Sequence, residues 1–206
     1  LTKSTNLGKE ELIDQVPHWM FPIGGIIHTV STKTLLILCN HKDKFDKLIR
    51  ELQIIDHKNA QEIASSQYLR YCILEMLRLN NLVNSTFRTL CKDFTFDDGT
   101  QFKKDTQLLI LNNPILREPQ CFNSPNQFIP ERWNDNLEST YCNLTFNQGP
   151  QKCPGKDLSI FLIQSFIVQY LKYSGVLDGA ILNSQKIDTD NIPQMINPCS
   201  ITFTIS

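Results

Sequence analysis

The ten residues FNQGPQKCPG, 146–155, restrict the fold more than any other stretch of the chain. A single thiol, Cys153, lies between Gly149 and Gly155, and Pro150 and Pro154 stiffen the turn and remove two amide donors. The apolar segment GKDLSIFLIQSFIVQYLKYSG comes directly after it, and Pro154 near its start and Gly175 at its end mark it as a helix. The free N–H groups of a first helical turn stabilise negative charge, which favours a thiolate at Cys153. The glycines let backbone approach something flat and large, and Phe146 offers an aromatic face. Three chemistries use such a thiol. A nucleophile needs a histidine base, and no histidine follows His57 in the chain. A redox thiol needs a resolving partner, and Cys142 is the nearest. A metal ligand needs only an open face and a cofactor. Against these stands the ordinary role of a buried structural cysteine.

The other cysteines, Cys39, Cys72, Cys91, Cys121, Cys142 and Cys199, form no C-x-x-C pair and no zinc-finger spacing. We expect these six as buried small hydrophobes rather than a disulfide framework, and an intracellular, reducing compartment. A net charge of -1 excludes the basic footprint that nucleic acid requires. No run of about 20 apolar residues is found, so no membrane span is expected within the segment, and membrane association stays open. The chain opens at Leu1 with no targeting pattern, and we expect it to be part of a longer protein. Its 206 residues show no repeat or composition break, so residues 1–206 are expected to belong to one domain.

Along the chain, residues 10–39 read as one long buried helix, interrupted near its middle by Pro17, Pro22 and Gly24-Gly25. His18-Trp19 are expected to fill core at its start, and His41 and His57 to lie at the surface. KDKFDKLIRELQII reads as a second, amphipathic helix and AQEIASSQYLRYCILEMLRLN as a third. Ile63, Leu69, Ile73, Leu74, Leu77 and Leu79 share one face of the third. Glu75 and Arg78 in EMLR are three apart and can pair, though most such pairs are solvated. From Asn80 onward, short β-type runs around Asp97-Asp98-Gly99 predict a small antiparallel sheet. A proline-dotted stretch, 114–144, predicts a long irregular loop of the kind that covers something. In it, FIPERW places Arg132 between Pro130 and Trp133, where it could complete a buried network with the helical pair. The tail CSITFTIS alternates like a strand. The chain is thus mainly α with a small antiparallel β-sheet.

These features together resemble the C-terminal half of a cytochrome P-450, the haem-thiolate family. The signature F-x-x-G-x-x-x-C-x-G matches at Phe146, Gly149, Cys153 and Gly155, EMLR matches E-x-x-R, and PERW matches P-E-R-F/W, in the expected order. The resemblance runs from the oxygen-activating helix near Glu10 to the closing β structure. It implies a cytochrome P-450 fold with heme b, whose iron takes an axial thiolate from Cys153. It also implies a structural triad of Glu75, Arg78 and Arg132 behind the cysteine loop. Arg88 falls where the family often has an arginine reaching a haem propionate.

Three departures bear on function. Gln151 stands where the family usually has an arginine or histidine facing a propionate. In the oxygen-activating helix the best register is GGIIH, so Ile27 and His28 replace the acid–alcohol pair, and Thr29 supplies the alcohol in a shifted register. An isoleucine cannot shuttle a proton, whereas a distal histidine can act as acid–base toward a peroxide. The third departure is length: the family's N-terminal half is not in this segment, which would leave an apolar face exposed. The resemblance implies a monooxygenase that hydroxylates a small to medium apolar organic substrate with O2 and electrons from a reductase or ferredoxin, docking where Lys152 and Lys156 contribute. A peroxide-using isomerase, lyase or peroxygenase is the alternative, and a non-catalytic remnant is a third.

Overall fold

A computed structural model describes residues 8–135 and 137–206. Contacts divide the chain into two units, one of Leu1–Ile73, Pro154–Ile187 and Asn197–Ser206, the other of Leu74–Cys153 and Asp188–Ile196.

The first unit is helical. Helix α1 runs from Lys9 to Cys39 without a break, with Pro17 and Pro22 inside it. The expected interruption is absent because each proline removes only one amide donor, and the i→i−4 ladder resumes after it. Its two halves differ sharply. From Ile27 onward it buries Val30 and Leu35 to Leu38, and it packs on α6 (Lys156–Tyr173), which buries Ile160, Ile163, Ile167, Val168 and Leu171. Before Ile27, Ile13, Val16, Met20, Phe21 and Ile23 are exposed, and so are His18 and Trp19, which therefore do not fill core as expected. By length and apolar composition α1 also meets the measure of a membrane-crossing helix.

The predicted second helix is α2, Lys42–Leu52. The predicted third splits into α3, Ala60–Ser65, and α4, Gln67–Leu79, because Ser66 is extended at φ -63°, ψ 90°. Serine side chains compete for backbone partners, which suits a cap better than a helix interior. The cap of α4 comes from another helix. The Glu51 carboxylate on α2 accepts from Ser66 Oγ at 2.7 Å and from the Tyr68 and Leu69 N–H groups at 2.9 and 3.1 Å. The end of α1 is tied down by the Asn40 amide, which donates to the Leu36 and Gln185 carbonyls and accepts from the Ile187 N–H. The short pair β5 (Leu182–Ser184) and β6 (Phe203–Ile205) closes this unit.

The second unit takes the last two turns of α4 and then the β region. Strands β1 (Ser85–Thr89) and β4 (Gln107–Leu111) pair antiparallel, with Arg88 opposite Leu108. Between them β2 (Phe94–Thr95) and β3 (Gln101–Phe102) form a hairpin. Gly99 sits in its turn at φ +85°, a conformation that favours glycine. The expected small antiparallel sheet is present as separate two-stranded ladders. After β4 comes α5, Asn112–Leu116, and then irregular chain anchored by the buried rings of Phe122, Phe128 and Trp133. The expectation of unpaired cysteines fails here: Cys121 and Cys142 form a disulfide, with Cα atoms 5.9 Å apart. Nor are the others uniformly buried, for Cys72 is buried while Cys91 and Cys199 are exposed.

Candidate functional site

The second unit is organised around one carboxylate. Glu75, at 0% exposure, takes Arg78 in a two-pronged pair, Nε to Oε2 at 2.9 Å and Nη2 to Oε1 at 2.8 Å. The i,i+3 spacing on α4 aims both side chains the same way. Arg132 adds its Nε at 3.0 Å, the Ile129 N–H donates at 3.1 Å, and Trp133 Nε1 donates at 2.9 Å. Five donors on one buried carboxylate satisfy both oxygens, which is what burying a charge demands. The remaining donors of Arg78 reach the carbonyls of Leu116, Pro125 and Gln127. The guanidinium groups of Arg78 and Arg132 lie over the Phe122 ring, 4.8 and 6.0 Å from its centre.

The structure brings Glu75, Arg78 and Arg132 together, as the resemblance implied. Sequence reasoning missed the rest of the shell. A buried tryptophan needs a partner for its N–H, so Trp133 did carry a signal. Arg117 carried none. It bridges the Leu79 and Ile192 carbonyls and the Asn126 side chain, and burial, together with the charge of Arg78, pulls its pKa down to about 10.

The thiol loop lies at the other end of the same irregular segment. Asn143, buried, accepts from the Thr145 N–H at 3.2 Å and the Thr145 hydroxyl at 2.6 Å, and donates to the Glu138 carbonyl at 3.3 Å. Gln148 Nε2 donates to the Asn143 carbonyl at 2.9 Å. The chain then turns through Asn147 at φ +58° and Gly149 at φ +67°, and a 3-10 turn covers Gly149–Gln151. The Cys153 N–H returns to the Phe146 carbonyl at 2.9 Å, closing the loop. Cys153 is a free, half-buried thiol. Phe146 is half-buried, and Gln151 and Lys152 are exposed. Gly155 caps α6 at φ -89°, ψ 7°. Lys156 is buried at 8% exposure, so the expected lysine pair at this loop reduces to Lys152.

Arg88 on β1 is half-buried, and its Nη1 donates to the Phe87 carbonyl at 2.8 Å. Among the described residues no carboxylate pairs with it. Its cationic head is thus available to an external anion. In the first unit, helical geometry puts Gly24, Gly25, His28 and Thr29 of α1 on one face and turns Ile27 off it. An added Cβ at Gly24 or Gly25 would meet nothing within 4 Å. His28 is exposed, Thr29 is half-buried, and Ile27 is buried.

A free thiol on a glycine-turned loop has the chemistry to ligate an iron-bearing group such as haem. A family model described as Cytochrome P450 matches residues 5–176. Cytochrome P450 85A3 of Solanum lycopersicum is 27% identical over 169 residues, covering 78% of this chain and 36% of that protein. Beta-amyrin 28-monooxygenase CYP716A378 of Saponaria officinalis is 28% identical over 153 residues, 72% of this chain and 31% of that protein. Probable cytochrome P450 12d1 proximal, mitochondrial, of Drosophila melanogaster is 33% identical over 140 residues, 62% of this chain and 27% of that protein. The chain spans about a third of the length of these curated relatives.

Proposed function

The chain belongs to the cytochrome P450 family, and on that premise we propose that it is the haem-binding part of a monooxygenase acting on a small to medium apolar organic molecule, with electrons from a reductase or ferredoxin. The observation that carries this reading is the Cys153 loop: a free thiol on a hydrogen-bonded turn, in the same unit as the buried Glu75–Arg78–Arg132 network. Haem b, when bound, supplies iron able to activate an oxidant. Cys153 would ligate its iron, Phe146, Gly149 and Gly155 would help hold the group, and Arg88 and Gln151 would meet its carboxylates. Asn143 and Gln148 hold the loop so that the thiol needs little reorganisation to ligate. The exposed Lys152 supports a docking face for an acidic electron donor.

A second reading takes a hydroperoxide as oxidant. The exposed His28 and the buried Ile27 favour it, since the first offers an acid–base group on the glycine face and the second removes the acid of the usual pair. Thr29 remains the alcohol of the monooxygenase reading.

The first test is the spectrum of the reduced, carbon-monoxide-bound protein, on the longest native chain. A strongly red-shifted Soret band, lost in Cys153→Ala, is the expected result. A shifted band that survives the substitution refutes Cys153 as ligand. Turnover with an organic hydroperoxide and no reductase selects the second reading, and His28→Phe would then abolish it.

A further inference from the structure

The Cys121–Cys142 bridge sits where it can govern the rest of the second unit. Cys121 precedes Phe122, the ring under both guanidinium groups, and Cys142 precedes Asn143, whose amide orders the approach to the thiol loop. The loop closed by the bridge has a sequence separation of 21. It carries three of the five donors to Glu75, namely the Ile129 N–H, Arg132 Nε and Trp133 Nε1. Both bridging residues are half-buried rather than sealed in the core. Among the free thiols, Cys72 is buried, and burial pushes the Cys39 thiol up to about 11, which leaves it a poor attacker, whereas Cys91 and Cys199 are exposed.

We propose that Cys121–Cys142 is a thiol–disulfide exchange site for low-molecular-weight thiols of the glutathione class, and that its oxidised state fastens the Arg132 segment and the cysteine loop while its reduced state loosens both. A glutathione thiolate attacks one bridge sulfur, and the other leaves as a thiolate and takes a proton. A second glutathione attacks the glutathione sulfur of the mixed disulfide, releasing glutathione disulfide and the second protein thiol. Two electrons pass from two glutathiones to the bridge, and glutathione disulfide reverses the exchange. Cross-linking restrains the open ensemble of the loop, so opening it becomes on the order of a hundredfold more frequent once the bridge is gone.

The test uses the longest native chain, loaded with haem where it takes haem, in glutathione buffers poised oxidising or reducing. Free thiols are first blocked with N-ethylmaleimide, and an unreduced digest is mapped by mass spectrometry. A linked peptide pair containing Cys121 and Cys142 is expected in the oxidising buffer, and both residues alkylated in the reducing one. Limited chymotrypsin cleavage at Trp133 and Tyr141 is then timed. It should quicken at least about tenfold on reduction, and the double variant Cys121→Ser with Cys142→Ser should be cleaved at the fast rate in both buffers. Two alkylated thiols in the oxidising buffer, or equal cleavage of the wild-type chain in both buffers, overturns the proposal. The wild-type comparison stands even where the double variant does not fold. The inference rests on the haem reading only for a further readout, loss of the shifted carbon-monoxide band on reduction. Mapping and proteolysis give their answer whether or not haem binds, so a failure of the haem reading is told apart from a failure of the clasp.

Discussion

Glu75 is a charge held wholly out of water by groups that arrive from four places in the sequence. Replacing a buried ion pair by apolar residues is often tolerated, but removing one member strands the other. Glu75→Gln leaves Arg78 and Arg132 without their counter-charge, and should destabilise the protein by about 3–5 kcal/mol in urea unfolding. Trp133→Phe keeps most of the ring and leaves Oε2 one donor short, so a smaller loss of about 1–3 kcal/mol is expected. Equal losses for the two would mean that packing, not charge, dominates at this site. The Glu75–Arg78 pair was legible from spacing, since three residues on a helix is a local distance. Arg132 was legible only through the PERW motif, and the Ile129 amide not at all, because a backbone donor has no residue signature.

At the scale of elements, periodicity located the helices well, while their ends depended on partners elsewhere. The α3–α4 break is the clearest instance. AQEIASSQYLRYCILEMLRLN keeps its apolar face throughout, yet Glu51 draws Ser66 out of the helix and caps α4. Glu51→Ala should cost about 1–2 kcal/mol, and it should speed hydrogen exchange at the Tyr68 and Leu69 amides more than at the end of α4. Unchanged exchange at these two amides would show that the carboxylate is not the cap. In α1 the error ran the other way. Two prolines and two glycines read as a break, and the helix absorbed them along an exposed stretch where no close packing demands a straight ladder.

For the molecule as a whole, the first half of α1 sets the behaviour of the isolated 206-residue chain. Phe21 is 86% exposed and Met20 65%, on a helix whose second half is buried. Exposed large apolar side chains in such numbers favour association. The isolated chain should therefore self-associate in sedimentation velocity at micromolar concentration, and the double variant Met20→Glu with Phe21→Glu should raise the monomer fraction several-fold. A monomeric wild-type chain would show that these side chains are covered or harmless.

The family and the helical pair Glu75–Arg78 were legible in the sequence alone. Each motif behind them spans no more than ten residues, where chain geometry leaves little freedom. Tertiary structure decided the rest. It chose Cys121 and Cys142 from seven cysteines, buried Lys156 while leaving Lys152 in solvent, and left Arg88 without an acid among the described residues. It also gathered donors from residues 78, 129, 132 and 133 onto one carboxylate. These outcomes depend on where distant segments meet. Residue type states what a side chain can bond to, but only the path of the folded chain supplies the partner.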